Sequence, residues 1–342
     1  MLAARMHRLG GPDVLEVEEI ADPVPGPEDL LVRVQATSVN RRDLWIRAGH
    51  PHPAYRVPLP AILGIDLCAT VIASGESVNR FADGQRITIN PYITCGRCEN
   101  CRRERSQYCE DFDVFHGAYA ELALVPQSLA VPVAADVPVE HVACFANSYI
   151  TAWQMLVGKA HVGPDDVVFV WAGTSGLGSA AVEIARLAGA RVIASAGGER
   201  KRAVAAGLSP DLVVDHHAED VVERVLEYTD GRGATIVFEH VGNATWTRSL
   251  ELCALGGTIV SAGATSGDEV TMDVTAMFVK QLRILGSRLG TMEDALAAIR
   301  HFDSGRFRPL VAEVLPLERV ADGHRLLEQG AVAGKVVIRV SD

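Results

Sequence analysis

Residues Val167–Ala181 read VVFVWAGTSGLGSAA, and this stretch decides the fold. The apolar run Val167–Trp171 is typical of a buried strand, and it passes directly into a glycine-rich run and then into small helix formers. This order predicts a strand, a tight turn and a helix whose N-terminal N–H groups and dipole face a phosphate. We predict cofactor contacts from the turn residues Gly173, Thr174, Ser175, Gly176, Leu177 and Gly178.

The surroundings of this turn support a dinucleotide site. Ser175 stands where the middle glycine of GxGxxG belongs, and similar turns also serve purely structural roles in α/β proteins. However, a helix at Ala180–Leu187 and a second apolar strand at Arg191–Ser195 complete a βαβ unit of about 30 residues. The turn therefore lies in the context that dinucleotide binding requires.

The residues after the second strand favour NADPH over NADH. An NAD-binding protein usually places an acidic residue there to accept from the ribose 2′-hydroxyl, but this chain has Ala196 followed by Gly197. Three cations follow closely, and Arg200 and Lys201 are the predicted contacts of a 2′-phosphate. Two alternatives stay open: a solvated start of a surface helix, or Glu199 taking the part of the acid.

Length and composition indicate a large globular protein. The chain has 342 residues, of which 48% are hydrophobic, which is enough for two domains. A net charge of −11 argues against nucleic acid as a partner. No apolar run approaches the roughly 18 residues of a membrane span. Met1–Gly10 lacks the features of a signal peptide, so we expect a cytoplasmic protein without a membrane partner.

Four of the seven cysteines fall within fifteen positions and predict a metal site. Two CxxC steps share their middle cysteine, which places three thiolates on one knuckle, and a fourth thiolate follows. Four thiolates around Zn²⁺ leave no position for water or substrate, so the predicted zinc is structural. Disulfides and an iron–sulfur cluster are the alternatives. The predicted ligands are Cys95, Cys98, Cys101 and Cys109.

Two strand patterns divide the chain. Short strands at Met1–His7, Val14–Ile20 and Leu30–Ala36 predict a partly open barrel. Strands and helices alternate from Val167 to about Ser287, which predicts a doubly wound parallel sheet. A helix over Ser148–Lys159 is predicted before this region, and one over Ala244–Leu255 within it. The predicted elements of the C-terminal part are a helix at Met292–Phe302, a strand at Val311–Leu315, a helix at Leu317–Leu327 and a strand at Lys335–Val340.

These features together resemble the medium-chain dehydrogenase/reductase superfamily over nearly the whole chain. The resemblance is carried by the cysteine lobe, Gly117–Glu121, Thr151–Trp153, the glycine-rich βαβ unit and Gly334–Val337. It implies an α/β protein with a GroES-like, partly open β-barrel catalytic domain at 1–126 and 291–342, and a zinc lobe at about 91–112. A Rossmann domain at 127–290, a small-molecule substrate in the cleft between the domains, and a homodimer or homotetramer are also implied.

The cysteine lobe and the active-site residues resemble different branches of the superfamily. The cysteine lobe is similar to zinc-binding alcohol dehydrogenases, whose catalytic zinc is held by two cysteines and a histidine. The matching positions here are Asn40, Ile65 and Asn147. Asn40 followed by Asp43, and Asp66 after Gly64-Ile65, are instead similar to the quinone oxidoreductase and enoyl reductase branch. An aliphatic side chain cannot bind zinc and an amide binds it poorly, so no catalytic zinc is expected. The residues considered for a rebuilt metal site are His50, His52, His116 and Cys144.

Loss of this zinc favours reduction of an activated double bond. An alkoxide needs strong stabilisation, whereas an enolate is held by hydrogen-bond donors, and solvent can supply the proton. Tyr92 and Asn147 can also be read as satisfied core polar groups. The predicted catalytic donors are Asn40, Arg42, Trp45, Tyr92 and Asn147, with Arg42 as a clamp for an anionic group. Gly197 is a further predicted cofactor contact, and those implied by the resemblance are Thr151, His216, Val241, Gly242, Gly263, Ala264 and Lys335.

The sequence therefore predicts an NADPH-dependent enzyme that reduces enones, enoyl thioesters or quinone-like acceptors. One alternative is a zinc-free alcohol dehydrogenase or carbonyl reductase. Another, of a different class, is a non-catalytic protein that binds NADPH as a sensor or scaffold.

Overall fold

The computed structural model describes residues 1–341, which form two compact units. The first unit contains residues 1–147 and the chain from Thr291 onward, and the second contains Ser148–Gly290. The sequence placed this boundary after residue 126. Residues 127–147 belong with the first unit because Ala130–Pro132 pairs antiparallel with Arg86–Ile89 of that unit. No helix within residues 1–341 combines the length and apolar character needed to cross a bilayer.

The first part of the first unit is rich in short strands, as the sequence predicted. Its strands are β1 (Leu2–Met6), β2 (Leu15–Glu19), β3 (Asp29–Ser38), β4 (Ala61–Ile62), β5 (Cys68–Ser74), β6 (Arg86–Ile89), β7 (Tyr92–Ile93), β8 (Asp113–Val114), β9 (Leu122–Pro126) and β10 (Ala130–Pro132). Its helices are α1 (Arg41–Ala48), α2 (Glu99–Arg102) and α3 (Val139–Val142).

The second unit is a doubly wound parallel sheet, which confirms the predicted fold class. Its strands are β11 (Val167–Val170), β12 (Arg191–Ala196), β13 (Leu212–Asp215), β14 (Ala234–Glu239), β15 (Cys253–Ser261) and β16 (Arg283–Gly286). They are ordered β13-β12-β11-β14-β15-β16, and every pairing is parallel. Its helices are α4 (Ile150–Trp153), α5 (Gly176–Leu187), α6 (Glu199–Gly207), α7 (Val221–Tyr228), α8 (Trp246–Leu252) and α9 (Val274–Val279).

The end of the chain returns to the first unit. Its elements are α10 (Met292–Asp303), β17 (Val311–Pro316), α11 (Val320–Glu328) and β18 (Lys335–Arg339). Strand β18 pairs antiparallel with the end of β3, and Val39 N donates to Val336 O at 2.9 Å. This pairing brings the start of the last strand beside the residues that follow β3, which is what builds the site described below.

Three helical segments differ from the sequence-based expectation. The helix predicted over Ala244–Leu255 ends at Leu252, because Lys280 Nζ donates to carbonyls in its last turn and Cys253 begins β15. The helix predicted over Ser148–Lys159 is α-helical only in α4 and is flanked by π-helical turns. Helix α9 was not predicted.

A buried polar network holds α1 in place. Asp43 Oδ2 accepts from Asn40 N at 2.9 Å and from Tyr119 Oη at 3.1 Å. His324 lies next in the network, with Nε2 3.3 Å from Tyr119 Oη and Nδ1 3.2 Å from Arg47 Nη1. Because the guanidinium can only donate, His324 Nδ1 accepts and its proton resides on Nε2. Burial, assisted by the charge of Arg47, lowers the pKa of His324 to about 3.

This network predicts a pH dependence of stability with a definite sign. The pKa of His324 is about 3 in the folded state against 6.5 unfolded, so its contribution is present above pH 6.5 and is lost as pH falls toward 3. Burial raises the pKa of Asp43 from 3.8 to about 6, so its contribution is present below pH 3.8 and is lost as pH rises through 6. The two groups therefore oppose each other between pH 6 and 4.

We expect His324→Gln, which keeps a donor and an acceptor, to remove only the histidine part of this dependence. Between pH 6 and 4 the slope of the free energy of unfolding against pH should decrease by up to about 1.4 kcal/mol per pH unit. Urea unfolding at a series of pH values measures this slope, and His52→Gln at the exposed surface is the matched control. An unchanged slope in His324→Gln would contradict the assigned protonation state.

Candidate functional site

The four cysteines of the lobe converge as the sequence predicted. Their sulfur atoms all lie within 4.8 Å of one another, with Cys109 Sγ 3.6 Å and Cys101 Sγ 4.0 Å from Cys95 Sγ. Four sulfurs bound tetrahedrally at about 2.3 Å from Zn²⁺ lie about 3.8 Å apart, so the cluster has the right size. Between residues 94 and 112, Cys109 alone is buried, so the lobe has little apolar core of its own.

Backbone N–H groups change the pKa values of the cysteine thiols in this cluster. The N–H groups of Glu110 and Cys101 lower the pKa of Cys98 to about 6, whereas desolvation raises the pKa of Cys101 to about 12. Without a cation the cluster therefore keeps at least one neutral thiol. A zinc ion bound by all four sulfurs would supply the positive charge that four thiolates need, and it would crosslink the lobe.

The glycine-rich turn of the second unit has the predicted form. Ser175 is the N-cap of α5 and accepts from Gly178 N at 2.9 Å. A Cβ on Gly178 would lie 2.3 Å from Ala172 O, and a Cβ on Gly173 would lie 2.9 Å from Ala194 Cβ. Only glycine fits at these positions. In the first turn of this 12-residue helix the N–H groups of Gly176 and Leu177 lack intrahelical acceptors, and such groups at a helix N-terminus suit a pyrophosphate.

The loop between β12 and α6 is shaped by a carboxylate from the next strand. Asp215 Oδ1 accepts from Gly198 N at 3.1 Å and from His217 N at 3.0 Å. Those two N–H groups and the nearby Arg202 lower the pKa of Asp215, so this carboxylate stays charged. The Asp215 carboxylate is thus hydrogen-bonded to the loop backbone. Arg200 and Lys201 lie in the first turn of α6.

The other predicted cofactor residues of the second unit follow the strand ends, except Thr151, which is buried in α4. His216 Nδ1 lies 3.2 Å from Ser195 Oγ, and its Nε2 would be 2.8 Å from a Cβ on Gly197. Val241 and Gly242 follow β14, where Glu239 Oε1 accepts from both of their N–H groups at 2.6 and 3.0 Å. Gly263 and Ala264 follow β15. The carboxyl edge of a parallel sheet is where ligands bind, so these positions suit a cofactor.

A buried ion pair lies at the end of β3 in the first unit. Lys335 Nζ donates to Asp66 Oδ2 at 2.9 Å and to Asn40 Oδ1 at 2.6 Å. Lys335 is 6% exposed and Asp66 is fully buried. Asp66 Oδ2 also accepts from Ser38 Oγ and from Asn40 Nδ2, and its Oδ1 accepts from Asn147 N at 2.7 Å. The carboxylate is thus fully hydrogen-bonded, as burial of a charge requires.

The two asparagines of this network differ in what they have left to donate. Asn40 Nδ2 donates to Asp66 Oδ2 at 2.9 Å and to Ser38 O at 3.3 Å, and its Oδ1 accepts from Lys335 and from Asn147 Nδ2. Asn40 therefore has no spare hydrogen-bonding capacity. Asn147 uses one of its two amide N–H groups and is partly exposed.

Arg42, Trp45 and Tyr92, the other predicted donors, have contacts outside this network. Arg42 Nη2 donates to Ala54 O at 2.8 Å, its guanidinium lies 5.2 Å from the Tyr55 ring centre, and the Trp45 ring lies 5.1 Å from the same ring. Tyr92 Oη instead donates to the carbonyl of Gln107 in the cysteine lobe, at 3.4 Å. Tyr92 is thus placed to support the lobe, and its predicted catalytic role stays a prediction.

Asp66 was not among the predicted site residues, although the sequence carries a signal for it. It is the one charged residue in the apolar run Ala61–Ile72, and a charge in such a run needs a buried counterion. Lys335 was predicted to contact the cofactor, whereas the structure gives its ammonium two partners in the first unit. That cofactor role, like the predicted homodimer or homotetramer, stays a prediction.

The residues considered for a second metal site do not assemble into one. Within residues 1–341 the lobe cysteines are the only three or more His, Cys, Asp and Glu side chains with ligand atoms close enough to share an ion. Burial, with a contribution from Arg42, lowers the pKa of His116 to about 4, and Cys144 Sγ donates to Glu140 O at 3.1 Å. At Asn40, Ile65 and Asn147 the chain offers no strong zinc ligand.

Comparisons with known proteins agree with both units. A family model of the alcohol dehydrogenase GroES-like domain matches residues 26–135, and one of zinc-binding dehydrogenases matches residues 176–304. A solved structure of an NAD-dependent alcohol dehydrogenase is 40% identical over 100% of both chains, with a TM-score of 0.95. Alcohol dehydrogenase 1 of Emericella nidulans is 30% identical over 98% of this chain and 97% of its own length. Quinone oxidoreductase of Homo sapiens is 26% identical, with coverages of 99% and 97%.

We expect about one tightly bound zinc per chain, held by the lobe. Cys98→Ser should abolish retention of zinc during dialysis against a chelator, because a four-sulfur site loses most of its affinity for zinc when one of the four ligands is removed. The lobe should then become sensitive to proteolysis. Cys253→Ala, at a buried cysteine of the second unit, is the control and should retain the metal. Elemental analysis that finds two zinc ions per chain would contradict the conclusion from Asn40, Ile65 and Asn147.

Proposed function

The chain belongs to the medium-chain dehydrogenase/reductase superfamily and is an NAD(P)H-dependent oxidoreductase, and we propose that it reduces an activated C=C bond or a quinone-like acceptor with NADPH and without a catalytic zinc. The observation that carries this proposal is the buried network of Asn40, Asp66, Lys335 and Asn147. It offers hydrogen-bond donors and one ammonium where zinc-dependent relatives have metal ligands.

The chemistry of this network suits an enolate better than an alkoxide. NADPH, when bound to the second unit, supplies the hydride. An enone or enoyl thioester accepts it at the β carbon, and the π electrons move onto the carbonyl oxygen. The first unit must then stabilise a delocalised negative charge, for which preorganised N–H donors suffice. The proton that completes the reduction adds to the α carbon and can come from water.

A zinc-free alcohol dehydrogenase or carbonyl reductase is the second candidate. Two of the similar proteins are alcohol dehydrogenases, at 40% and 30% identity, whereas the quinone oxidoreductase is 26% identical. Identity over the whole chain reflects the shared fold more than the reacting group, because function depends on a few residues at the site. We therefore give more weight to the absence of strong zinc ligands at Asn40, Ile65 and Asn147.

We expect the zinc-loaded protein to oxidise NADPH in the presence of enones, enoyl thioesters or quinones, and to turn over simple aldehydes at least tenfold more slowly. The loss of NADPH absorbance with a matched panel of these acceptors measures the difference. Cys253→Ala, which retains the lobe, should give the same order of acceptors. Turnover restricted to aldehydes would favour the second candidate, and NADPH binding without any turnover would point to a sensor or scaffold.

The preference for NADPH rests on the loop after β12. Ala196 provides no carboxylate for a ribose 2′-hydroxyl, and Asp215 is held by the N–H groups of Gly198 and His217. The dipole at the start of α6 and the cations Arg200 and Lys201 favour a negative group in the same place. A 2′-phosphate has two negative charges to satisfy these donors, and a hydroxyl has none.

We expect Arg200→Ala and Lys201→Ala each to weaken NADPH binding by about tenfold, since a hydrogen bond to a charged group contributes about 1.5–3 kcal/mol and these positions are partly solvated. NADH binding should change less than twofold. Nicotinamide fluorescence titration gives both dissociation constants. Arg202→Ala, one residue further along α6 and 4.0 Å from Asp215, is the matched control. Equal losses for the two cofactors would remove the basis of the preference.

A further inference from the structure

We propose that Lys335 is a catalytic residue: its ammonium, together with the side-chain amide of Asn147, binds the oxygen of the acceptor that becomes negative, while Asp66 and Asn40 position these two donors. This inference rests on the proposed function, because it assigns the oxygen-binding groups of that reaction. It also gives Lys335 a different role from the cofactor contact that the family resemblance implies.

Lys335 has one N–H donor that the described residues do not use. An ammonium has three N–H donors, and two of them are directed at Asp66 Oδ2 and Asn40 Oδ1. Among the residues that the structure describes, Nζ makes no third hydrogen bond. A buried ammonium with an unused donor is costly unless a further oxygen completes its shell. An acceptor carbonyl is such an oxygen.

The side-chain amide of Asn147 lies next to this ammonium. Its Nδ2 donates to Asn40 Oδ1 at 2.8 Å, the same oxygen that Lys335 Nζ contacts at 2.6 Å. The two nitrogens are therefore neighbours, each with one N–H unused by the described residues. Two adjacent donors, one of them charged, form the arrangement that stabilises an oxyanion. The partial exposure of Asn147 leaves an approach for a ligand.

Asn40 and Asp66 position the two donors and do not bind the oxygen themselves. Asn40 uses both N–H groups and both lone pairs within the network, so it cannot bind a substrate without losing an existing bond. Asp66 has no proton to donate, and its oxygens accept from Ser38, Asn40, Lys335 and Asn147. The β18–β3 pairing fixes the backbone of Lys335, and Asp66 fixes its ammonium.

In the reaction, the ammonium takes the place that a Lewis acid has in zinc enzymes. The β carbon of the acceptor gains a hydrogen with two electrons, its C=C bond becomes single, and the carbonyl oxygen acquires the negative charge. Lys335 and Asn147 hold this oxygen through N–H···O bonds and keep their protons. A water molecule then gives a proton to the α carbon, and the hydroxide that remains passes to the solvent and is neutralised there. As the Cα–H bond forms, the C=C bond of the enolate becomes single, the C=O bond re-forms, and the oxygen leaves the two donors uncharged.

Three substitutions test the proposal. Lys335→Met removes the charge with little change in length, Lys335→Arg restores a charge, and Asn147→Ala removes the second donor without touching the ion pair. We expect kcat with an enone to decrease about 10²–10³-fold in Lys335→Met and about tenfold or more in Asn147→Ala. Lys335→Arg should recover part of the loss. The dissociation constant of NADPH should stay within twofold of the wild-type value in all three variants. In the control Lys159→Met, in the second unit, both this dissociation constant and kcat should stay within twofold.

A second readout does not depend on turnover. 4-Nitrophenolate mimics an enolate oxygen, and its absorbance differs from that of the neutral phenol. The wild-type protein should bind the phenolate in preference to the phenol at fixed pH, and Lys335→Met and Asn147→Ala should both lose this preference. If no acceptor is reduced but this preference is found, the proposed function fails and the oxygen site stands.

Other results would overturn the assignment of Lys335. If Lys335→Met weakens NADPH binding with an unchanged kcat, Lys335 is a cofactor ligand. If Lys335→Met fails to fold, Asn147→Ala decides: full activity with enones and an unchanged phenolate preference would show that no oxygen is held at this site. If Lys335→Met and Asn147→Ala both reduce enones at the wild-type rate, the proposed function stands and the assignment of the oxygen site is wrong.

Discussion

The ion pair between Lys335 and Asp66 is the interaction on which the first unit depends. Two charges buried together are stable only when every polar atom around them is satisfied, and removing one partner typically costs about 3–5 kcal/mol. The chain meets this condition by pairing β18 with β3, which joins residues far apart in sequence. The ion pair therefore fixes the local geometry and also ties the end of the chain to its first half.

The two functional parts of the chain follow different physical rules. The dinucleotide turn is a backbone device: Gly173 and Gly178 are required because a Cβ would strike neighbouring atoms, and the binding groups are N–H groups of α5. The oxygen site of the first unit is a side-chain device, in which each donor is aimed by another buried group. Binding through backbone N–H groups tolerates many different side chains nearby. In the oxygen site, by contrast, the orientation of Asn147 depends on Asn40, and that of Asn40 depends on Asp66 and Lys335.

Sequence patterns predicted most helices and strands, because the pattern that indicates each one lies within its own residues. The parallel strands around Val167–Val170 are continuous apolar runs, and the four cysteines carry their own spacing. The partners of Asp66 could not be predicted, because Lys335 lies 269 positions away and only strand pairing brings them together. The π-helical turns on either side of α4 also escaped prediction, since one extra residue per turn leaves no periodic signature over five or six positions.

A zinc in the cysteine lobe and a zinc at Asn40, Ile65 and Asn147 would be energetically independent of each other. Between residues 94 and 112 only Cys109 is buried, so a zinc bound to the four cysteines would supply folding energy there. The network at Asn40 is held by its own hydrogen bonds and contains a cation already. Introducing cysteine and histidine at Asn40, Ile65 and Asn147 would place Zn²⁺ beside the ammonium of Lys335. The like charges would repel, so three ligands alone cannot convert this site into a zinc centre, and Lys335 would have to change with them.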